Sequence, residues 1–121
     1  MTTPTEQTPI AVHPSTPVPD QGAEIVLVRK RRFAELVQEW KDATAFTSSA
    51  TAMAMHPAYQ QIIGMGDVAL PMIFQELRRE PDHWFWALKA ITGEDPISPA
   101  DRGQIDKMTA AWLNWAKQRG Y

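Results

Sequence analysis

From Lys30 to Thr44 the apolar residues Phe33, Leu36, Val37 and Trp40 recur at intervals of three and four. That spacing lines one face of an α-helix and predicts an amphipathic one here. The apolar run just before it, Ile25-Val26-Leu27-Val28, has no period. It can open the same helix or form a short extended segment, and its β-branching pulls towards the second. Thr44 to Met55, "TAFTSSATAMAM", is small, polar and weakly patterned, which predicts a loop with a frayed turn. Beyond it, Pro57 suits a first helical position, "AYQQIIGMG" supplies a short helix, and Gly66 closes it in a left-handed cap. Asp67 is expected to cap the next helix, with Pro71 in its first turn, where no backbone donor is missed. Pro81 ends that helix, Asp82 is expected to cap an aromatic one, and Gly93 stops it. Glu94 to Gly103 reads as a loop with a capping box over Ser98–Asp101. A last helix spans Gln104 to Arg119, with Ile105, Met108, Trp112 and Trp115 on one stripe. No strand pair emerges. The body is expected to be all-α, a small bundle of four or five helices with short connections.

In the aromatic helix, Trp84, Phe85 and Trp86 are consecutive. At about 100° per residue they spread over roughly 200° of surface and cannot share a face. Leu88 and Ile91 fall beside Trp84, and Phe85 extends that patch, so these four are expected in the core. Trp86 lies almost opposite, near Lys89. The helix is apolar nearly all round, the mark of an element wrapped by its neighbours. Trp86 and Lys89 are the candidate partner-binding residues, because Trp is favoured at interfaces.

Residues 1–22 differ from the rest. Prolines at 4, 9, 14, 17 and 19, with Thr, Ser and Gln between them, read as a flexible Pro-rich tail, solvated or offered to an aromatic groove. Residues 23–121 read as a single helical domain, as the 121-residue length allows. The chain has no cysteine, which excludes disulfides, thiolate metal sites and a Cys nucleophile. It has no apolar run long enough for a membrane span and no secretory leader, so a cytoplasmic location is expected. The net charge of −2 hides an asymmetry, since Glu6, Asp20 and Glu24 precede the first basic residue, Arg29.

That first basic residue opens the sharpest charge feature, Arg29-Lys30-Arg31-Arg32. Four adjacent cations can grip phosphates, and at a helix start they oppose the dipole, a cost that hints at a use. With Arg78 and Arg79 they make the candidate nucleic-acid surface; the alternative is a solubilising flank. Of the three histidines, His13 lies in the tail, His56 precedes Pro57 where a polar side chain helps to cap, and His83 opens the aromatic helix. None has metal-ligand spacing, so no metal or other cofactor is expected. The densest set of titratable groups is Glu94, Asp95, Asp101 and Arg102, a candidate acid–base cluster whose favoured reading is a solvated loop with acids that cap helix starts. Gly64-Met65-Gly66 lacks the Lys and Ser/Thr of a phosphate loop, and Ser48 and Ser49 lack the glycines of a nucleophile elbow.

The stretch Tyr59–Gly93 resembles a HEAT-type helical hairpin at Gly66, Ala69, Pro71, Trp86, Ala87, Leu88 and Ile91. There is no second copy of the pattern, so a stacked solenoid is not implied. His56–Tyr121 also resembles a family of small uncharacterised bacterial helical proteins through "HPAYQQIIGMG", "ALPMI", "WFWALKAITGEDP" and "AWLNWAKQRGY". That likeness implies a bacterial or phage-like origin and a compact helical domain, and it supplies no catalytic residue. The expected function is a non-enzymatic protein–protein interaction or regulatory module, an antitoxin-like operon partner being one form; the alternative is nucleic-acid binding through residues 29–32.

Overall fold

The computed structural model describes the backbone from residue 17 to residue 121 and side chains from residue 22. The described residues are all-α, with six α-helices: α1 (Pro17–Ala43), α2 (Ala50–Met55), α3 (Pro57–Gly64), α4 (Leu70–Arg79), α5 (Phe85–Thr92) and α6 (Ile105–Gln118). Two 3₁₀ turns, Gly66–Ala69 and Pro99–Asp101, precede α4 and α6. The expected tail lies outside the described residues as far as position 16. From Pro17 the chain is helical, so α1 starts within the proline-containing stretch. Pro17 and Pro19 fall in the first helical turn, where backbone N–H groups have no intrahelical acceptor and proline forfeits nothing. The Ile25–Val28 run is likewise helical, so the periodic segment that follows it sets its conformation and β-branching does not.

The chain divides into two units, residues up to Arg32 and Phe33–Tyr121. Every described side chain of the first, Gly22–Arg32, is exposed. The second unit holds the core. Phe33, Leu36, Val37 and Trp40 are buried from α1, Tyr59 and Ile62 from α3, Ile73, Phe74 and Leu77 from α4, and Trp112 and Ala116 from α6. In that unit α3 packs on α5, and α4 on both α5 and α6. Trp40 is the hub of one aromatic group, with ring centroids 5.1 Å from Tyr59 and 4.8 Å from Trp84. A second group joins Phe74, Trp112, Trp115 and Tyr121.

Several expected caps are replaced by other devices. His56 caps α3 as expected, its Nδ1 accepting from the Ala58 N–H at 3.0 Å. Gly66 turns left-handed behind α3 with φ of 70°, and Pro71 sits in the first turn of α4. Asp67, in contrast, lies inside a 3₁₀ turn, and α4 starts at Leu70 with no side-chain cap. Ser98 likewise makes no side-chain cap bond, and Gln104 precedes α6. Ser49 was expected in a loop, yet its hydroxyl accepts from the Ala52 N–H at 3.1 Å and starts α2. Alanine and methionine, both good helix formers, then carry that short helix, and Ala54 is buried beneath it. The Trp40 indole N–H donates to the Met53 carbonyl at 2.9 Å and ties α2 to α1 within the second unit.

Asp82 does not cap α5. Its carboxylate accepts from the neighbouring His83 N–H at 2.7 Å, and the helix begins three residues later at Phe85. The donor at the third helical position is instead satisfied from another element. The Tyr59 hydroxyl accepts from the Ala87 N–H at 2.9 Å and donates to the His83 carbonyl at 2.8 Å. One phenol on α3 thereby terminates α5 and the strand of chain leading into it. Burial pushes this phenol's pKa well above its ordinary value, so it remains a donor at all ordinary pH.

Candidate functional site

The start of α5 is pinned at Tyr59, and this decides which of its side chains face outward. Trp84, Ala87 and Leu88 are fully buried, as expected for Trp84 and Leu88. Phe85 and Ile91 are partly buried and pack against the core. Trp86, Lys89 and Ala90 form an open face, Trp86 being 47% exposed. The expectation of a helix wrapped on all sides is therefore corrected: α5 is covered on the side of Trp84 and open on the side of Trp86.

This open face lines a groove of about 620 Å³. One wall is Phe85 and Trp86 of α5; the other is Ile105, Met108 and Trp112 of α6, with Ile97 from the intervening loop between them. Lys89, Asp95 and Arg102 form its charged rim. Asp95 organises that rim. One carboxylate oxygen accepts from the Ile97 N–H at 3.2 Å, and Ile97 is buried beside it. The other lies 2.7 Å from the Arg102 guanidinium and 3.7 Å from the Lys89 ammonium. The hydrogen bond from Arg102 holds the Asp95 carboxyl below its usual range, and the Ile97 N–H and the Lys89 charge act the same way. Two exposed cations face one carboxylate, which leaves the rim with an excess of one positive charge. The Trp112 indole N–H, also at this groove, is buried with no hydrogen-bond partner among the described residues.

The two candidate partner-binding residues, Trp86 and Lys89, are thus one turn apart on the same wall. The acid–base cluster is not assembled. Glu94 turns towards the end of α6, where it accepts from both Arg119 and the Trp115 indole and its pKa is lowered by them. Asp95 belongs to the groove rim, and Asp101 closes a 3₁₀ turn through its backbone N–H to the Ser98 carbonyl. Both shifted carboxylates move downward, which makes them fixed anions at neutral pH rather than proton donors. Among the described residues no group of three or more His, Asp or Glu is placed to hold a metal ion. His83 borders the groove, His56 is a cap, and His13 lies outside the described residues.

Arg29, Lys30, Arg31 and Arg32 are exposed and helical, so Arg29 and Arg32 lie about 60° apart on one side while Lys30 and Arg31 point elsewhere. Consecutive cations on a helix point in different directions, and the run does not make one basic face. Arg78 donates to the Tyr121 carbonyl at 2.9 Å, and Arg79 pairs with Glu76 at 2.6 Å. No helix among the described residues is long and apolar enough to cross a membrane. The apolar far side of the groove, Ile97, Ile105 and Met108, is not anticipated as a site by the sequence. Its sequence signal is slight: Ile97 is a lone aliphatic residue in a polar loop, and Ile105 stands at the very start of the last helix stripe.

Comparison of the chain with protein-family models, with curated proteins and with solved structures gives no match.

Proposed function

We propose that this chain is a non-enzymatic helical interaction module whose groove between α5 and α6 receives a segment of a partner protein. The observation that carries this reading is the half-exposed Trp86 standing on the lip of an apolar groove with a positively biased rim. A half-buried indole offers a large contact area for little conformational entropy, and such residues anchor interfaces. The partner that fits presents one or two large aliphatic or aromatic side chains to Phe85, Ile105 and Met108, with a carboxylate beside them for Lys89 and Arg102. A regulatory role towards a neighbouring bacterial gene product, as an antitoxin has, is the biological form this reading takes.

The test uses labelled helical peptides of about a dozen residues bearing a single Leu or Phe anchor, flanked by Glu in one set and by Lys in the other. The Glu set is expected to bind the full chain, and Trp86→Ala is expected to weaken binding at least about tenfold. Equal binding of both sets, no binding, or indifference to Trp86→Ala contradicts the proposal.

Nucleic-acid binding through Arg29–Arg32 is the second reading, favoured by the exposure of all four residues. It requires a gel shift that weakens steeply with salt and is lost when the four become Ala. A shift that is absent at low salt removes it.

A further inference from the structure

In the first unit, Ile25, Val26, Leu27 and Val28 are 49%, 48%, 58% and 60% exposed. Four branched aliphatic residues in a row, half in water, are unusual for a helix with no further role. Glu24, Ile25, Val28 and Arg29 line one shallow hollow on the helix surface. With Glu24 set at zero, Val28 falls at about 40°, Ile25 at about 100° and Arg29 at about 140°. The stripe therefore has an aliphatic centre, one acidic edge and one basic edge.

We propose that this stripe is a self-association face through which two copies of the chain pair as a short parallel two-helix coil. Ile25 and Val28 occupy the positions that a coiled-coil seam buries, and Glu24 and Arg29 occupy the flanks where interhelical ion pairs form. In a parallel pair related by a two-fold axis, the acidic flank of each copy lies along the basic flank of the other. Glu24 of one helix then meets Arg29 of the second copy, and the reciprocal pair forms as well. An antiparallel pair sets the two Arg29 flanks against each other. The alternation of an acid and a base on opposite edges also argues against an anionic membrane or a nucleic acid as the occupant, because Glu24 would face their phosphates. The apolar stripe is one heptad long, so the association is weak and depends on concentration.

Sedimentation equilibrium of the full chain over a wide range of concentration tests this. The weight-average mass is expected to climb from the 13.6 kDa monomer towards twice that value. Glu24→Arg and Arg29→Glu are each expected to weaken self-association at least about fivefold, by setting like charges opposite one another in both pairs. The double reversal restores it, and an equimolar mixture of the two single variants forms a mixed dimer. Far-UV circular dichroism checks that each variant keeps its helix content. A mass that stays monomeric overturns the proposal. So does a double reversal that fails to restore pairing, and so do single reversals that leave pairing unchanged, the result an antiparallel pair gives. Binding to anionic vesicles with no self-association overturns it in favour of a lipid surface.

Discussion

Tyr59 shows how much one hydroxyl can settle. It completes the first turn of α5, holds the incoming chain at His83, and stacks its ring against Trp40. Tyr59→Phe keeps the ring and removes the two hydrogen bonds, leaving the buried Ala87 N–H unsatisfied. The expected cost is about 1–3 kcal/mol in urea denaturation, and a loss within the error of extrapolation contradicts the assigned role. The pattern of residues carries no mark of the phenol's partner, which lies 28 residues away in the sequence. The expectation that Asp82 caps α5 rested on proximity in sequence, and Tyr59 outcompetes it from another helix. Asp95 allows a second test at this scale. Its folded pKa lies below the ordinary 3.8, so its ion pair contributes stability that is fully present above 3.8 and is lost as pH falls through the lower folded value. Acid titration of unfolding for wild type and Asp95→Asn is expected to converge as the pH drops below 3.8, and a constant separation contradicts the pairing.

Among the elements, the long periodic ones were legible and the short ones were not. The Phe33–Trp40 and Met108–Trp115 stripes announce α1 and α6 because a buried helix face repeats over several turns. α2 has six residues and one buried side chain, Ala54, so burial leaves almost no periodic trace there. Its start depends on Ser49, which is expected to make Ser49→Ala cost about 0.5–2 kcal/mol of stability. Hydrogen exchange should localise that loss to Ala50–Met55 and the Trp40–Met53 link, and a loss spread evenly over the second unit contradicts the assignment. The end of α5 was legible because left-handed backbone has its own residue signature. Gly93 adopts φ of 74° with no atom near the position a Cβ would take. Gly93→Ala is therefore expected to cost about 1 kcal/mol from backbone strain alone, with Gly93→Asn costing less.

For the molecule as a whole, the tryptophans divide by role. Trp40, Trp84 and Trp112 are sealed into the second unit, and Trp86 stands at the edge of the groove. Helical periodicity alone separates Trp84 from Trp86, because two positions on a helix differ by about 200°. The groove was not legible as a groove. Its second wall comes from α6 and the loop before it, and nothing local in Ile97 or Ile105 says that they will face Trp86. The account's central claim is that Trp86 serves recognition while its neighbour two residues away serves folding. Its most direct test measures unfolding free energy and acidic-peptide affinity together for Trp84→Ala and Trp86→Ala. Trp84→Ala should lose about 3–5 kcal/mol of stability, while Trp86→Ala should stay within about 1 kcal/mol of wild type and lose at least about tenfold in peptide affinity. A Trp86→Ala variant that unfolds as readily as Trp84→Ala, or that binds the peptide as wild type does, contradicts the claim.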